Sequence, residues 1–138
     1  MAIKVIFFDI GNTLISKKQW LSGAREFVAA VKEKKIRVGL ISNTGNLTRD
    51  RLQKLLPEAF DFAVFEEGLT LLSSEVGVEK PTLAIFSLAV QHSGASPWET
   101  MFIGESLTES LAAQRAGMQS ARIADSEKDY AELLKLVQ

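Results

Sequence analysis

Cysteine is absent from this 138-residue chain, and histidine occurs only once, as His92. Without cysteine there can be no disulfide, no thiolate metal ligand and no cysteine nucleophile. A single histidine excludes a histidine-rich zinc site, and any Ser-His-Asp triad would depend on His92 alone. Several large classes of catalytic and metal site are therefore excluded before any motif is considered.

Long apolar runs and an excess of one charge are also lacking. No apolar stretch approaches the ~20 residues that span a bilayer, and the apolar start at residues 3–8 is interrupted by Lys4 and followed by Asp9, unlike a secretory signal. Sixteen basic and seventeen acidic residues give a formal charge of -1. This balance argues against a general nucleic-acid or membrane surface. We therefore expect a cytoplasmic protein.

The length and composition are those of one ordinary globular domain. A chain of this size can remove roughly 68 to 70% of its unfolded surface from water. Its apolar fraction is 46% and its charged fraction 24%, which excludes a disordered or low-complexity chain. We predict a single domain over residues 1–138.

Strand and helix patterns alternate along the whole chain. β-Branched and aromatic runs predict strands, and apolar residues at spacings of three and four predict helices. A loop is predicted around residues 68–81. Such alternation favours an α/β fold, namely a three-layer α/β/α Rossmann-like domain with a five-stranded parallel sheet and helices on both faces. The predicted strands are 3–8, 37–41, 60–65, 100–103 and 119–123, and the predicted helices are 22–34, 47–56, 82–92, 106–116 and one from 126.

Polar residues follow three of these strands. Asp9 comes after the first strand, Ser42 after the second, and Glu105 after the fourth, while Lys80 precedes Pro81. In open parallel sheets ligands bind beyond the carboxyl ends of the strands, so these side chains are expected to share one crevice. Taken singly, each has a plainer interpretation as a turn residue, a helix cap or a solvated lysine.

Taken together, the same residues form an ordered set of motifs. They are DIGNTL at 9–14, LISNT at 40–44, EKP at 79–81 and FIGES at 102–106 with Glu109 following. This set resembles the four motifs of the haloacid dehalogenase-like (HAD) hydrolase superfamily, in particular its phosphatases. The resemblance covers nearly the whole chain.

The resemblance implies a role for each motif residue. Asp9 would be the nucleophile that takes a phosphoryl group and then passes it to water, and Lys80 would offset the charge between them. The substrate would be a phosphoric monoester or an acyl phosphate. Mg²⁺ is the implied cofactor, because carboxylate and carbonyl oxygens suit it. The implied phosphate-binding residues are Ser42, Asn43 and Lys80, and the implied metal ligands are Asp9, Gly11, through its backbone carbonyl, Glu105 and Glu109.

Two of the four motifs, the first and the fourth, depart from the family pattern. Gly11 stands where the phosphatases place the aspartate that protonates the leaving group and activates water. Losing a general acid typically costs about 10² to 10⁴ in rate, or roughly 3 to 5 kcal/mol, and acyl phosphates would suffer least. Glu105 and Glu109 replace the usual aspartates, so their carboxylates would be displaced by one methylene.

The spacing between motifs leaves no room for a cap domain. Residues 13–42 can hold one loop and one helix, and residues 61–80 one strand and a loop. A capless crevice suits a bulky or macromolecular phosphorylated substrate, or a lid supplied by a second subunit in a homo-oligomer. Trp20, Leu21 and the leucine-rich stretch 69–72 could contribute to such a contact or could cover the core.

Three other functions compete with a phosphohydrolase. The first is a catalytically impaired pseudo-phosphatase that binds a phospho-ligand or a protein, which the replacement at Gly11 would explain. The second is a receiver-type signalling domain, which is disfavoured because Asp9 has no neighbouring acid and residues 65–67 lack the expected phosphoacceptor. The third, dehalogenation, ranks lower because a small haloacid would not be enclosed.

Overall fold

A parallel sheet flanked by helices forms the frame of the molecule. The computed structural model describes residues 2–137, in which seven strands and six α-helices alternate. Short 3-10 turns at 62–64, 67–69 and 97–99 connect some of them. The strands are β1 (Val5–Phe8), β2 (Ile15–Ser16), β3 (Gln19–Trp20), β4 (Arg37–Ser42), β5 (Thr70–Leu72), β6 (Thr100–Gly104) and β7 (Gln119–Arg122); the helices are α1 (Ala24–Glu33), α2 (Arg49–Lys54), α3 (Ser73–Val76), α4 (Leu83–Ser93), α5 (Leu107–Arg115) and α6 (Ser126–Leu136).

The main sheet has five strands in the order β5-β4-β1-β6-β7, and every neighbouring pair is parallel. The central strand β1 is buried on both faces because its side chains alternate between two apolar clusters. Ile6 and Phe8 pack with α1 and α6, whereas Val5 and Phe7 pack with α4 and α5. The predicted three-layer α/β/α Rossmann-like architecture is therefore confirmed.

The third predicted strand, at residues 60–65, is wrong. Its central residues form a 3-10 turn, Phe62–Val64, which begins where the Asp61 carboxylate accepts the Ala63 N–H at 2.9 Å. The aromatic rings of this stretch pack among themselves and against β1 instead of pairing in the sheet. The edge strand is β5, inside the segment predicted to be a loop.

The leucines of that edge strand and of the 3-10 turn before it belong to the core. Leu69, Leu71 and Leu72 are each about 1% exposed, which favours core packing over a contact with another subunit. A second unpredicted feature is the antiparallel hairpin of β2 and β3, which is all that residues 9–23 add between β1 and α1. Between β4 and α4 lie only short elements. None of the helices described in residues 2–137 is long and apolar enough to cross a membrane.

Candidate active site

Asp9 lies at the carboxyl end of the central strand, where the sheet holds it tightly. Its backbone N–H donates to the Ile103 carbonyl on β6 at 2.9 Å. The Ile10 N–H donates to the Asp9 Oδ1 at 2.8 Å, and the residue is only 9% exposed. The carboxylate is therefore fixed in orientation at the crevice that the topology creates.

Lys80 brings two of the motif carboxylates together. Its Nζ lies 2.7 Å from Asp9 Oδ1 and 2.9 Å from Glu109 Oε1, and the lysine is 4% exposed. The same Nζ is 5.5 Å from the centroid of the Phe102 ring beneath it. Glu109 Oε1 makes no hydrogen bond of good geometry, so the Lys80 contact holds it by charge. One buried ammonium thus links a carboxylate at the end of β1 to a carboxylate on α5.

Asn43 positions Lys80 through the main chain. The Asn43 Nδ2 donates to the Lys80 carbonyl at 2.9 Å, and the Lys80 N–H donates to Asn43 Oδ1 at 2.8 Å. The Lys80-Pro81 peptide bond is cis. This two-bond clasp ties the end of β4 to the segment before α4. A phosphate-binding role for Asn43 stays a prediction, and its side-chain amide already serves the lysine.

Ser42 ends β4 and is 7% exposed. Next to it lies a hydroxyl network that the sequence did not reveal. Ser73 Oγ accepts the Thr44 N–H at 2.8 Å, and the Thr44 hydroxyl donates to Ser74 Oγ at 2.7 Å. Thr44 resembled an ordinary turn residue, and its partners lie about thirty residues away, so no local signal pointed to them. The network anchors the loop after Ser42 to α3.

The two acids after β6 lie in different environments. Glu105 is exposed, and its backbone carbonyl accepts Arg122 Nε at 3.3 Å and Nη2 at 3.0 Å. Ser106 caps the N-terminus of α5, and its hydroxyl oxygen accepts the Glu109 N–H at 3.3 Å. Glu109 is turned into the Lys80 cluster, whereas Glu105 stays outside it. The sequence predicted the same metal-binding role for both acids and did not predict that their environments differ.

Gly11 is exposed, and a Cβ built on it would meet nothing within 4 Å. Its φ lies outside the left-handed region, so the backbone there would also accept an ordinary L-residue. Nothing in the local packing therefore requires a glycine. The absence of an acid at this position is a chemical difference and not a steric one.

The oxygen atoms near Asp9 are the candidate ligands for the predicted Mg²⁺. Within residues 2–137 no three acidic or histidine side chains cluster closely enough to hold a metal. Mg²⁺ is, however, commonly bound by one or two carboxylates together with substrate phosphate. Asp9 places a carboxylate at this edge of the sheet, and the chain at Gly11 is exposed. These few oxygen ligands fit a Mg²⁺ site that the phosphate of the substrate completes.

A buried tyrosine supports the loop after Asp9. The Tyr130 hydroxyl on α6 donates to the Thr13 carbonyl at 2.6 Å. Burial raises the pKa of this phenol, and the negative charge of Asp9 raises it further. Tyr130 therefore stays protonated and keeps donating its hydrogen bond.

A match to a protein-family model agrees with the fold, with the order of the motif residues and with the buried Lys80 cluster. The protein-family model for haloacid dehalogenase-like hydrolases matches residues 16–117, well over half of the chain. The chain belongs to this family of HAD-like hydrolases. Ser42, Lys80 and Glu109 lie within the matched segment, while Asp9 and Gly11 precede it. The predicted family is confirmed.

A curated relative supports the same family. The glyceraldehyde 3-phosphate phosphatase of Methanothermobacter thermautotrophicus is 33% identical over 107 residues, which cover 74% of this HAD-like chain and 45% of the relative. The chain thus spans about half the length of that relative. The rest of that relative lies outside the residues that match this chain.

Solved structures agree with the fold. A HAD-superfamily hydrolase of Ehrlichia chaffeensis superposes with a TM-score of 0.79 at 16% identity, covering 99% of this chain and 96% of that one. A HAD family enzyme of Bacteroides thetaiotaomicron, in complex with magnesium and inorganic phosphate, gives 0.71 at 19% identity, covering 96% and 99%. At these identities the likeness establishes the shared fold.

Proposed function

We propose that this chain is a phosphohydrolase in which Asp9 takes a phosphoryl group from the substrate and water then removes it. The observation that carries the proposal is the buried ion cluster, in which Lys80 contacts Asp9 and Glu109 at the carboxyl edge of the sheet. A carboxylate nucleophile needs no partner base.

Each neighbouring group has a part in this reaction. The Asp9 Oδ2 would attack phosphorus while Oδ1 remains held by Ile10 N–H and Lys80. The ammonium of Lys80 would offset the charge between carboxylate and phosphoryl oxygens, because both are negative. Ser42 would hold a phosphoryl oxygen, and Asn43 would keep Lys80 in place. Attack breaks the bond from phosphorus to the leaving oxygen, which departs with the electron pair.

Mg²⁺ is part of the proposal. Asp9, the Gly11 carbonyl and Glu105 would hold the ion, with Glu109 acting through Lys80. When bound, Mg²⁺ supplies positive charge that stabilises the phosphoryl oxygens. Because few protein ligands are available, we expect Mg²⁺ to bind weakly alone and more tightly with a phosphate analogue. Calorimetric titration with and without orthovanadate measures this difference.

Gly11 restricts the substrates that can react. No acid stands at that position to protonate a leaving oxygen, and His92 is engaged with the Gly68 carbonyl. Leaving groups that are stable as anions should therefore react best. We propose acyl phosphates and activated aryl esters as good substrates. The relative's name suggests glyceraldehyde 3-phosphate as a further test substrate. Its leaving group is an alkoxide, which leaves poorly, so it represents the opposite extreme of leaving-group stability.

The same observation favours one alternative function. A pseudo-phosphatase would keep the phosphate-binding groups and lack turnover, as the missing acid at Gly11 would explain. It predicts binding of phosphate analogues without release of phosphate. The two functions therefore differ in one measurable quantity, the rate of phosphate formation.

The test is phosphate release from acetyl phosphate, p-nitrophenyl phosphate and glyceraldehyde 3-phosphate, with Mg²⁺ or with chelator. We expect Mg²⁺-dependent release, fastest from acetyl phosphate, and loss of at least 10²-fold in Asp9→Asn. Asp61→Asn, an exposed aspartate away from the ion cluster, serves as the matched control. Equal rates in wild type and Asp9→Asn would refute catalysis through Asp9, and bound vanadate without turnover would support the pseudo-phosphatase.

The surroundings of the crevice bear on the substrate and partners. Only the β2–β3 hairpin lies between β1 and α1, and only short elements lie between β4 and α4, which supports a crevice without an internal cap. We propose that the substrate is phosphorylated and can be bulky or macromolecular, and that a homo-oligomer could supply a lid. A cytoplasmic location stays a prediction from the sequence.

A further inference from the structure

A pocket of about 350 Å³ lies between α1 and the segment 59–65. Val28, Ala29, Val64 and Phe65 contribute apolar walls, and Trp20 of the hairpin contributes an aromatic one. None of the motif residues lines it. Its volume lies in the range of small-molecule pockets, which combine apolar walls with a few placed polar groups.

One face of α1 supplies both charge and apolar surface to this pocket. Arg25, Val28, Ala29 and Lys32 recur at spacings of three, four and seven residues, so they share a helix face. Seven residues correspond to about 10 Å along a helix. The two cationic side chains therefore stand at opposite ends of an apolar floor.

Trp20 contributes an aromatic wall to the pocket. Its ring is fixed, because it stacks on Phe60 with centroids 5.4 Å apart. A planar ring can pack against such a wall.

The charges around the pocket favour an anion. Lys32 Nζ donates to the Val64 carbonyl at 2.7 Å, and the Asp61 carboxylate accepts the Ala63 N–H at 2.9 Å. Arg25 lies over the Trp20 ring, 5.9 Å from its centroid, and no ion pair reaches it among the described residues. Two cations thus face one carboxylate, and the guanidinium of Arg25 has no acid to pair with.

We propose that this pocket binds a small organic anion with a planar apolar body. The body would lie between the α1 face and Val64 and Phe65. The anionic group would meet Arg25, which has no ion-pair partner among the described residues. The proposal rests on none of the chemistry of Asp9, so it stands or falls separately from the proposed phosphohydrolase.

Two dyes of nearly equal shape test it. 8-Anilinonaphthalene-1-sulfonate carries a planar body and an anion, and N-phenyl-1-naphthylamine is the same body without the sulfonate. Trp98→Phe leaves Trp20 as the sole tryptophan of a chain that has two. We expect the sulfonate dye to quench Trp20 with one-site saturation, and Arg25→Gln to weaken it about tenfold or more while the neutral dye changes little.

Controls separate this pocket from general apolar surface. Arg51→Gln removes an exposed arginine on α2 outside the pocket and should leave the affinity unchanged. Asp9→Asn should bind normally. Binding without saturation, equal affinity for both dyes, or equal losses in Arg25→Gln and Arg51→Gln would overturn the proposal.

Discussion

Lys80 is the residue on which the candidate site depends most. It is a buried cation between two carboxylates, and removing it would leave Asp9 and Glu109 facing each other without compensation. Removing Asp9 instead leaves the Lys80–Glu109 pair intact. The three groups are therefore not equivalent, although each contributes one charge.

We predict that Lys80→Met lowers the free energy of unfolding by about 3 to 5 kcal/mol, as expected for a broken buried ion pair. Asp9→Asn should cost clearly less, because its amide oxygen can still accept the Ile10 N–H. Urea unfolding without divalent cations measures both. Lys4→Met, at an exposed ion pair, is the control and should change little. A greater loss in Asp9→Asn than in Lys80→Met would contradict this interpretation.

Gly11 offers a gain-of-function prediction. Because a Cβ there meets nothing within 4 Å and the backbone is not left-handed, aspartate should be accommodated. If the missing general acid limits turnover, Gly11→Asp should raise kcat on p-nitrophenyl phosphate by about 10² to 10⁴. Acetyl phosphate should gain less, because its leaving group needs no proton. Gly11→Asn has a similar shape without the acid and should gain little. Equal gains in both variants would exclude acid catalysis as the cause.

At the scale of elements, the alternating pattern predicted the sheet but misplaced its edge strand. The stretch 60–65 has the aromatic composition of a strand, yet the Asp61 cap turns it into a 3-10 segment. The actual β5 is three residues long, too short to display a period. The β2–β3 hairpin, with two residues in each strand, was missed for the same reason.

The contact between α6 and the loop after Asp9 is an element-level prediction. Tyr130→Phe removes the hydroxyl that donates to Thr13 O and leaves a buried carbonyl unpaired. We expect a loss of about 1 to 3 kcal/mol in the free energy of unfolding. Denaturant unfolding measures it, with the exposed Glu132→Gln on the same helix as control. A loss no larger than that of the control would show that the bond does not stabilise the fold.

At the scale of the whole molecule, the sequence predicted which polar residues meet at the carboxyl edge of the sheet, but not the contacts that hold them. Asp9, Ser42 and Lys80 were predicted because strand ends meet at one edge of a parallel sheet. The Asn43–Lys80 clasp joins residues 37 apart, and the Thr44–Ser74 bond joins residues 30 apart. Side-chain geometry over such separations depends on the packed structure, which periodicity cannot supply.

A clamp at the opposite edge of the sheet makes the stability of the whole fold dependent on pH. Arg37 begins β4, and its Nη1 donates to the Ser93 carbonyl at the end of α4 at 2.7 Å. Its Nε and Nη2 donate to the two Glu66 oxygens at 2.7 and 2.9 Å. These hydrogen bonds from Arg37 lower the pKa of the Glu66 carboxyl. The clamp therefore joins three segments through a group that acid can neutralise.

Because folding lowers the pKa of Glu66, its contribution is present above the ordinary glutamate pKa near 4.5 and is lost as the pH falls through the lowered value. Both side chains are more than 40% exposed, so the contribution at pH 7 should stay below about 1 kcal/mol. We predict that Glu66→Gln loses this amount at pH 7 and converges on wild type as the pH falls through the lowered pKa of Glu66. Urea unfolding from pH 7 to 3 measures the difference, with exposed Glu58→Gln as control. A difference that persists unchanged into acid would show that Arg37 does not act on the ionised Glu66.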